Sequence, residues 1–368
     1  MKKILHIVRD EKFIDMASRE FECCAPGRNI FAIIGKKISI KYIKSTDIEF
    51  YSLLGLVKLL NSGSVGAVIF HSLGGLSFLT RFIPDHIKVV WIGWGYDYYD
   101  LLLRNEYKNG LMLPMTREVE KLIKVKTQKS IKNIAIYVLD RFASINRFDY
   151  FLPVLDSEFD LVKKHNSWLG AEFTEWNYGT AEDDFLVQAP GEISGENILV
   201  GNSAALENNH LDTFYFIANY VDWEDRKIYV PLSYGNKDYA SFIIELGREY
   251  FGNQFCPITE FMEKQKYNDL LSTCGYVFMN HIRQQALGNI CISMIVGAKI
   301  YLNSHSPLLK WFRGKGAFVE EIEANSPKKF LLKPLTKNQK ETNREIIFKH
   351  WCRENQRKKT IKLISKII

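Results

Sequence analysis

Short apolar runs alternate with longer amphipathic stretches along most of the chain. The apolar runs cover residues 4–8, 30–34, 67–70, 88–92, 150–154, 171–173, 197–200, 227–230, 276–279 and 299–302. Between them lie patterns of helical period, for example over residues 47–60, 238–250 and 285–296. Strands that alternate with helices predict parallel sheets with helices on their faces. The predicted fold class is therefore α/β.

The alternation is interrupted at residues 178–196, which read YGTAEDDFLVQAPGEISGE and are rich in Gly, Pro and acidic residues. This composition is typical of a linker between domains. We therefore predict two Rossmann-like domains facing a cleft, over residues 1–177 and 197–332. Residues 333–368 are predicted to form a basic C-terminal helical segment.

Composition narrows the possible classes of protein. A length of 368 residues suits two domains, and the net charge of +7 is too small and diffuse to predict nucleic-acid binding. The six cysteines form no CxxC pair and no zinc-like spacing, which is typical of a reducing compartment. The N-terminal apolar run is too short for a signal peptide, and no run approaches the ~20 apolar residues of a membrane span. We expect a cytoplasmic protein, and one that acts on lipid would lie on the membrane surface.

The segment ILVGNSAALENNH, residues 198–210, has the pattern of a strand, a turn and a helix. Such a turn leaves backbone N–H groups free to hold phosphate at a helix N-terminus. Gly201 would permit a close backbone approach, and Asn202, Ser203 and His210 could add side-chain donors. An ordinary β–α turn with capping residues would explain the same pattern.

The segment MNHIRQQALGN, residues 279–289, also follows a predicted strand. Arg283 could pair bidentately with phosphate, and the amides of Gln284 and Gln285 could recognise sugar hydroxyls. Gly288 falls in the helix that follows. A solvated polar turn is the alternative interpretation.

Three further candidates follow other predicted strands. Tyr234 could stack on a nucleobase such as thymine. Asn303 and Glu320 are expected past later strand ends, where either could bind ribose or a donor sugar. Either could equally be a plain turn residue.

The segment WIGWGYDYYD, residues 91–100, is the main candidate in the first half. Asp97 could act as a general base for a hydroxyl, among the flat aromatic faces of Trp94, Tyr96 and Tyr99. His71 ends another predicted strand, at an equivalent edge of the sheet. The alternatives are that Asp97 caps the next helix, that the aromatic rings pack in the core, and that His71 is structural.

Several patterns are missing from the sequence. There is no DxD triplet, GxSxG elbow or HExxH motif, so we predict no required metal and no cofactor. The charge of a pyrophosphate would be met by backbone dipoles and cationic side chains. Two basic stretches, residues 116–142 and 353–368, suit an anionic membrane surface or a solvated helix face. The second could also be partly disordered.

Taken together, these segments resemble the TDP-N-acetylfucosamine:lipid II N-acetylfucosaminyltransferase family, which is 4-alpha-L-fucosyltransferase-like. The likeness is strongest over about residues 197–313. It rests there on ILVGNS with Asn208 and His210, VPLSY with Tyr239, RQQALG from Arg283 to Gly288, and LNS followed by Pro307. In the first half it rests on His71 and on the pattern Trp94-Gly95-x-Asp97-x-Tyr99.

The resemblance implies a GT-B fold and a metal-independent Leloir glycosyltransferase. The implied donor is a dTDP-linked 4-amino-4,6-dideoxyhexose derivative, and the implied acceptor is an undecaprenyl-pyrophosphate-linked saccharide at the cytoplasmic face of the inner membrane. The likeness is weaker in the acceptor half, so O-antigen and enterobacterial common antigen synthesis both stay open, as does inversion or retention. A non-catalytic nucleotide-sugar scaffold and a sugar-nucleotide epimerase are the rival interpretations.

Overall fold

The described part of the chain forms two compact units. The computed structural model describes residues 1–107, 110–122, 144–185, 193–323 and 330–368. Of these residues, unit 1 contains 1–107, 144–180 and 351–368, and unit 2 contains 110–122, 181–185, 193–323 and 330–350.

The elements are numbered in chain order. Up to residue 173 they are β1 (Lys3–Ile7), α1 (Phe13–Cys24), β2 (Asn29–Ile34), β3 (Ile48–Tyr51), α2 (Leu53–Asn61), β4 (Val65–His71), β5 (Lys88–Ile92), α3 (Tyr96–Leu102), α4 (Pro114–Leu122), β6 (Tyr150–Leu152), α5 (Asp156–His165) and β7 (Glu172–Phe173). A 3₁₀ turn covers Ser77–Phe82.

The later elements include six strands. They are β8 (Ile198–Val200), α6 (His210–Tyr220), β9 (Ile228–Pro231), α7 (Lys237–Phe251), β10 (Phe255–Ile258), α8 (Lys264–Ser272), β11 (Tyr276–Met279), α9 (Leu287–Val296), β12 (Lys299–Leu302), α10 (Pro307–Gly314), β13 (Val319–Glu321), α11 (Lys337–Trp351) and α12 (Arg353–Ile367).

Unit 1 is built on a parallel sheet with the strand order β3-β2-β1-β4-β5-β6-β7. All seven residues of β4 are buried. This agrees with the sequence VGAVIFH, because a central strand of a parallel sheet is covered on both faces and must be apolar on both. Successive strands are added on one side of β1 up to β3 and on the other side from β4 onward, so the strand order reverses between β1 and β4. Open α/β sheets bind their ligands at such a point.

Unit 2 repeats the same topology in its own sheet. The strand order is β10-β9-β8-β11-β12-β13, and every pairing is parallel. The reversal lies between β8 and β11. Two Rossmann-like units with parallel sheets, followed by C-terminal helices, confirm the predicted α/β class.

One predicted helix is partly wrong. Residues 47–60 form β3 and α2 rather than one helix. The side chain of Ser52 accepts the Gly55 N–H and caps α2, so the helix begins only after the strand has ended. The strands β10 and β13 were also missed by the hydrophobic pattern, because their apolar runs are short.

Two helices join a unit other than the one expected from their place in the chain. The described residues 110–122, which contain α4, belong to unit 2, where the Asp212 carboxylate accepts the Met115 and Thr116 N–H groups at 3.0 and 2.9 Å. The helix α12 belongs to unit 1, where Trp176 Nε1 donates to Thr360 Oγ1 at 2.9 Å. The sequence pattern instead predicts the first segment within the N-terminal domain, residues 1–177, and the second within a separate helical segment, residues 333–368.

The structure describes the second basic stretch fully and the first only in part. The α12 helix buries Leu363 and Ile367 in unit 1, so its apolar face already has a partner within the protein. In the first stretch, residues 123–142 lie outside the described residues, and so do residues 186–192 of the predicted linker. Among the helices that the structure describes, none combines the length and hydropathy required to cross a membrane.

Candidate functional site

The turn after β8 is held close to two side chains of its own unit. Gly201 has φ +66°, and a Cβ atom there would lie 2.7 Å from Asn208 Oδ1 and 2.8 Å from His210 Nε2. Both the backbone conformation and the close approach therefore require glycine.

Asn208 fixes this turn and connects it to the end of β11. Its Oδ1 accepts the Asn202 backbone N–H at 2.8 Å and the His281 Nε2–H at 3.0 Å, and its Nδ2 donates to Ser203 Oγ at 3.1 Å. Since the amide oxygen is an acceptor, the proton of His281 lies on Nε2. Burial, with the Arg283 charge second, holds the pKa of His281 well below its ordinary value, so the ring is neutral.

The turn at residues 283–285 lies beside the turn at residues 201–203. Gln285 Nε2 donates to Asn202 Oδ1 at 3.1 Å and joins them directly. The two segments that the sequence analysis singled out in this half are therefore neighbours on the carboxyl edge of one sheet. The Oε1 atom of Gln285 is buried and forms no hydrogen bond with any residue that the structure describes.

His210 brings a second buried atom without a partner to this edge. Its Nδ1 lies 3.1 Å from the Tyr239 hydroxyl, while its Nε2 is buried beside Gly201 and forms no hydrogen bond within the described part of the chain. Burial lowers the pKa of His210 to about 3, so the ring is neutral. An unsatisfied buried polar atom costs about 1–3 kcal/mol, which a bound ligand could recover.

Arg283 supplies a cation that the described residues do not neutralise. The side chain is 9% exposed, and its Nη1 donates to the Gln284 carbonyl at 2.9 Å. Among the described residues no carboxylate forms an ion pair with it. Because an unpaired buried charge is costly, this position favours an anionic ligand.

The helix α9 begins immediately after this turn. Ala286 precedes it in the left-handed conformation, with φ +61° and ψ +21°, and no side chain caps the helix. The first N–H groups of α9, at the positive end of its dipole, thus lie at the edge that carries Arg283. At Gly288, in the first turn, a Cβ atom would meet nothing within 4 Å.

The remaining candidates of this half have different surroundings. Tyr234 is 62% exposed, and its carbonyl accepts the Ala204 N–H beside the β8 turn at 2.7 Å. Asn303 is buried and donates to Asn280 Oδ1 at 2.7 Å. Glu320 was expected past a strand end, but it lies inside β13 and pairs with Lys299 at 3.1 Å. The hydrophobic pattern does not predict β13, and Glu320 was therefore expected in a loop instead of inside a strand.

A buried polar network behind the two turns was not predicted. Asn209, with φ +53°, donates to the Asn280 carbonyl and accepts the Leu113 N–H, both at 2.8 Å. Asn280 donates in turn to Thr213 Oγ1 at 3.1 Å. The sequence shows only that the polar residues NNH, 208–210, and NH, 280–281, lie beside apolar runs. This pattern does not indicate which residues will be hydrogen-bond partners.

In unit 1, Asp97 uses both carboxylate oxygens within the protein. Oδ2 accepts Trp91 Nε1–H at 2.8 Å and the Leu73 N–H at 3.1 Å, while Oδ1 accepts the Trp94 and Tyr98 N–H groups at 2.9 and 3.1 Å. Burial raises the pKa of Asp97, and the four donors partly oppose that shift. The carboxylate lies in the first turn of α3 and ties it to the ends of β4 and β5. This geometry favours a structural role for Asp97, inside the first turn of a helix whose N-cap residue is Gly95.

His71 belongs to a chain of hydrogen bonds whose direction can be derived. Asn29 Nδ2 donates to Glu22 Oε1 and the Ala25 carbonyl, each at 2.9 Å, so Asn29 Oδ1 must accept from His6 Nε2 at 3.2 Å. His6 Nδ1 therefore accepts from His71 Nε2 at 3.0 Å.

The other nitrogen of His71 is also occupied. Since Nε2 carries the proton, Nδ1 accepts the Tyr178 hydroxyl at 2.6 Å, and that hydroxyl oxygen accepts Trp94 Nε1–H at 2.8 Å. Burial holds the pKa of His71 well below its ordinary value and lowers that of His6 to about 3. Both rings are neutral. Both nitrogens of His71 are already hydrogen-bonded within the protein, so neither is available to accept a proton from a substrate.

The three aromatic residues predicted to bind an acceptor differ in exposure. Tyr96 is 41% exposed, and its hydroxyl lies 2.7 Å from Ser72 Oγ. Trp94 is half-buried. Tyr99 is buried and packs on Tyr98, with the ring centroids 5.4 Å apart, so its face is not available for stacking on a sugar.

The described residues contain no group of three or more His, Cys, Asp or Glu side chains suited to hold a metal. That metal and cofactors are not required stays a prediction, because a ligand set could include other atoms or the substrate itself.

Residues 180–319 match the family model described as 4-alpha-L-fucosyltransferase glycosyl transferase group 56. The matched region covers the turns at residues 201–203 and 283–285, together with His210. Over these residues the chain is a glycosyltransferase. The resemblance inferred from the sequence is thereby confirmed for the C-terminal region.

Solved structures confirm the GT-B fold over the whole chain. A glycosyltransferase from Rickettsia africae is 11% identical, with a TM-score of 0.65 and coverage of 100% of this chain and 98% of that one. The lipopolysaccharide outer core galactosyltransferase WaaB has 9% identity, a TM-score of 0.64 and full coverage of both chains. A sucrose-phosphate synthase from Thermosynechococcus elongatus has the same identity and TM-score, with coverage of 100% of this chain and 99% of that one. At these identities the likeness shows the fold alone.

Proposed function

We propose that this glycosyltransferase moves a 4-amino-4,6-dideoxyhexose-type sugar, such as 4-acetamido-4,6-dideoxygalactose, from dTDP to an undecaprenyl-pyrophosphate-linked saccharide. The reaction would serve O-antigen or enterobacterial common antigen synthesis at the cytoplasmic face of the inner membrane. The enzyme would lie peripherally on that anionic surface.

The observation that carries the proposal is the junction of the two turns in unit 2. Around the Gln285–Asn202 hydrogen bond lie an arginine without a carboxylate partner, the uncapped start of α9 and a buried nitrogen of His210. A diphosphate would satisfy all three, because it is anionic and offers many acceptor oxygens. In this arrangement Tyr239 donates to His210 Nδ1, so that Nε2 carries a proton and donates to a phosphate oxygen.

The identity of the donor is supported less directly. The matched family is described by a fucosyltransferase activity, and fucose is a 6-deoxyhexose. The exposed ring of Tyr234, whose carbonyl contacts the turn after β8, could stack on the thymine base. We assign the sugar hydroxyls to Gln284 and Gln285.

The acceptor assignment is supported by the resemblance and by charge. The chain carries a net charge of +7, which favours an anionic lipid surface. The structurally similar WaaB protein is a lipopolysaccharide galactosyltransferase by name, so the same fold occurs in surface-polysaccharide synthesis.

The geometry changes the roles proposed for the first half. We now assign Asp97 and His71 to positioning, because their polar atoms are paired within unit 1. Asp97 orders the loops after β4 and β5, and His71 orders Tyr178 and Trp94. Tyr96 remains a candidate acceptor contact.

A nucleotide screen followed by a transfer assay tests the proposal. Thermal unfolding is followed with dTDP, UDP and GDP, since binding to the native state raises the melting temperature. Radiolabelled dTDP-sugar is then incubated with the protein and a membrane lipid extract. Label transferred to lipid supports the proposal. Binding without turnover would indicate a scaffold, conversion of the donor without acceptor an epimerase, and selective binding of UDP or GDP would overturn the dTDP assignment.

A further inference from the structure

Glu11 lies in the loop between β1 and α1, at the carboxyl end of β1. This strand is a neighbour of β4 at the point where the strand order reverses. Residues that follow these two strands flank the crevice where open α/β sheets bind ligands. Glu11 has no distinctive pattern in the sequence, where it is a single glutamate after a strand.

The Glu11 side chain is half-buried, yet it forms no hydrogen bond or ion pair with a described residue. Neighbouring carboxylates behave differently. Asp10 accepts the backbone N–H groups of Tyr42 and Ile43 at 2.8 and 3.0 Å, and Asp97 accepts four donors. At this edge of unit 1, Glu11 thus keeps its acceptor oxygens available.

Hydrogen bonds join the loops that follow β1, β4 and β5, and Glu11 lies in the first of these loops. Arg9 donates to the Gly74 carbonyl, which joins the loops after β1 and β4. The Tyr96 hydroxyl bonds Ser72 Oγ, which joins the loops after β4 and β5. Burial is the main cause of the raised pKa of Tyr96; the Arg9 charge lowers this pKa and the Glu11 charge raises it, so the three side chains are near enough for their charges to interact. This cluster offers a carboxylate, a cation and a half-exposed aromatic ring.

The environment also makes Glu11 a better base. Burial raises the pKa of its carboxyl group, and the nearby Lys12 and Arg9 only partly oppose the shift. A carboxylate with a raised pKa takes up a proton more readily near neutral pH than an ordinary one.

We propose that Glu11 is the general base that deprotonates the acceptor hydroxyl, an inference that rests on the glycosyl transfer proposed above. The Glu11 carboxylate takes the hydroxyl proton while the acceptor oxygen forms a bond to the anomeric carbon. The bond from that carbon to the β-phosphate oxygen breaks, and dTDP leaves with the electron pair as an anion. Glu11 then releases the proton to water. A single displacement of this kind inverts the anomeric configuration.

The test compares Glu11→Gln with the wild type and with a matched control, Glu172→Gln. Glu172 is an exposed carboxylate on the edge strand β7 of the same unit. We expect Glu11→Gln to lower kcat by about 100- to 10,000-fold with an unchanged dTDP dissociation constant, because only proton transfer is lost. The control should retain wild-type kcat.

The pH profile gives a second readout. In the wild type, kcat/KM should fall on the acidic side as Glu11 becomes protonated, and Glu11→Gln should lose this limb. A Glu11→Gln variant with wild-type kcat, or one that keeps the acidic limb, would overturn the assignment. If the wild type itself transfers no sugar from any dTDP donor, the proposed function fails instead, so the two failures are distinguishable.

Discussion

At the carboxyl edge of the unit 1 sheet, Asp97 and His71 have their polar atoms paired within the protein. In unit 2, by contrast, His210 Nε2 and Gln285 Oε1 are buried and have no partner among the described residues. Arg283 adds a cation without a carboxylate at the second edge. The two sheets have the same topology, so the difference lies in the loops. It teaches that a polar residue at a strand end identifies a binding edge only when its hydrogen-bonding capacity is not already used.

The largest effect is expected from pH, and it tests whether both edges hold neutral imidazoles. His6 and His210 have folded pKa values lowered to about 3 from 6.5, and those of His71 and His281 are also lowered. The unfolded chain therefore binds more protons below pH 6.5, and stability falls as the pH decreases from about 6.5 towards 3. His6 and His210 should each cost about 1.4 kcal/mol at pH 5.5, and His71 and His281 should add to this loss.

Urea unfolding at pH 7.5, 6.5 and 5.5 measures this dependence. The control is a His86→Asn variant, in which an exposed histidine is removed and the dependence should stay the same. An unfolding free energy that does not change between pH 6.5 and 5.5 would contradict the neutral buried rings.

A smaller loss of stability is expected for Asp97→Asn, which tests the paired hydrogen bonds at the carboxyl edge of the unit 1 sheet. The new amide group can no longer accept all four N–H donors, so unfolding should become easier by about 3 kcal/mol. Turnover should fall in proportion to the folded fraction, and dTDP binding to folded protein should persist. A variant of wild-type stability but greatly reduced kcat would instead restore Asp97 as a catalytic base; calorimetry and steady-state kinetics distinguish the two.

Gly201→Ala tests how tightly the turn after β8 is built. The added methyl group would collide with Asn208 Oδ1 and His210 Nε2 in a backbone conformation with φ +66°. We expect a loss of about 1–3 kcal/mol in stability together with weaker dTDP binding. Gly288→Ala is the matched control, because its methyl group meets open space in a helix, and Ala there should be neutral or stabilising.

Arg283→Ala should have the smallest effect on folding and a selective effect on binding. Removing an unpaired buried charge should leave the unfolding free energy nearly unchanged or slightly higher. The dTDP dissociation constant should rise by about 10- to 150-fold, since a charged hydrogen bond contributes about 1.5–3 kcal/mol. An unaltered constant in isothermal titration calorimetry would remove Arg283 from the phosphate site.

Much of the candidate site in unit 2 could be predicted from local pattern. Gly201, Asn202 and Arg283 each follow an apolar run, and parallel strands bring such positions to one edge. The Gln285–Asn202 hydrogen bond shows that the two turns do meet. Asn303 and Tyr99 were less predictable, because whether a side chain is already paired or packed depends on residues far away in the sequence.

The sequence by itself determined the α/β class, the succession of two Rossmann-like halves and the strand ends that carry polar residues, because hydrophobic periodicity is a local property of the chain. Only the tertiary structure decided which side chains remain available. It assigned α4 to unit 2 and α12 to unit 1, paired Asp97 and His71 internally, placed Glu320 inside β13, and left Glu11, His210 and Arg283 with unused capacity. Hydrogen-bond satisfaction is set by contacts between distant residues, and no local pattern encodes them.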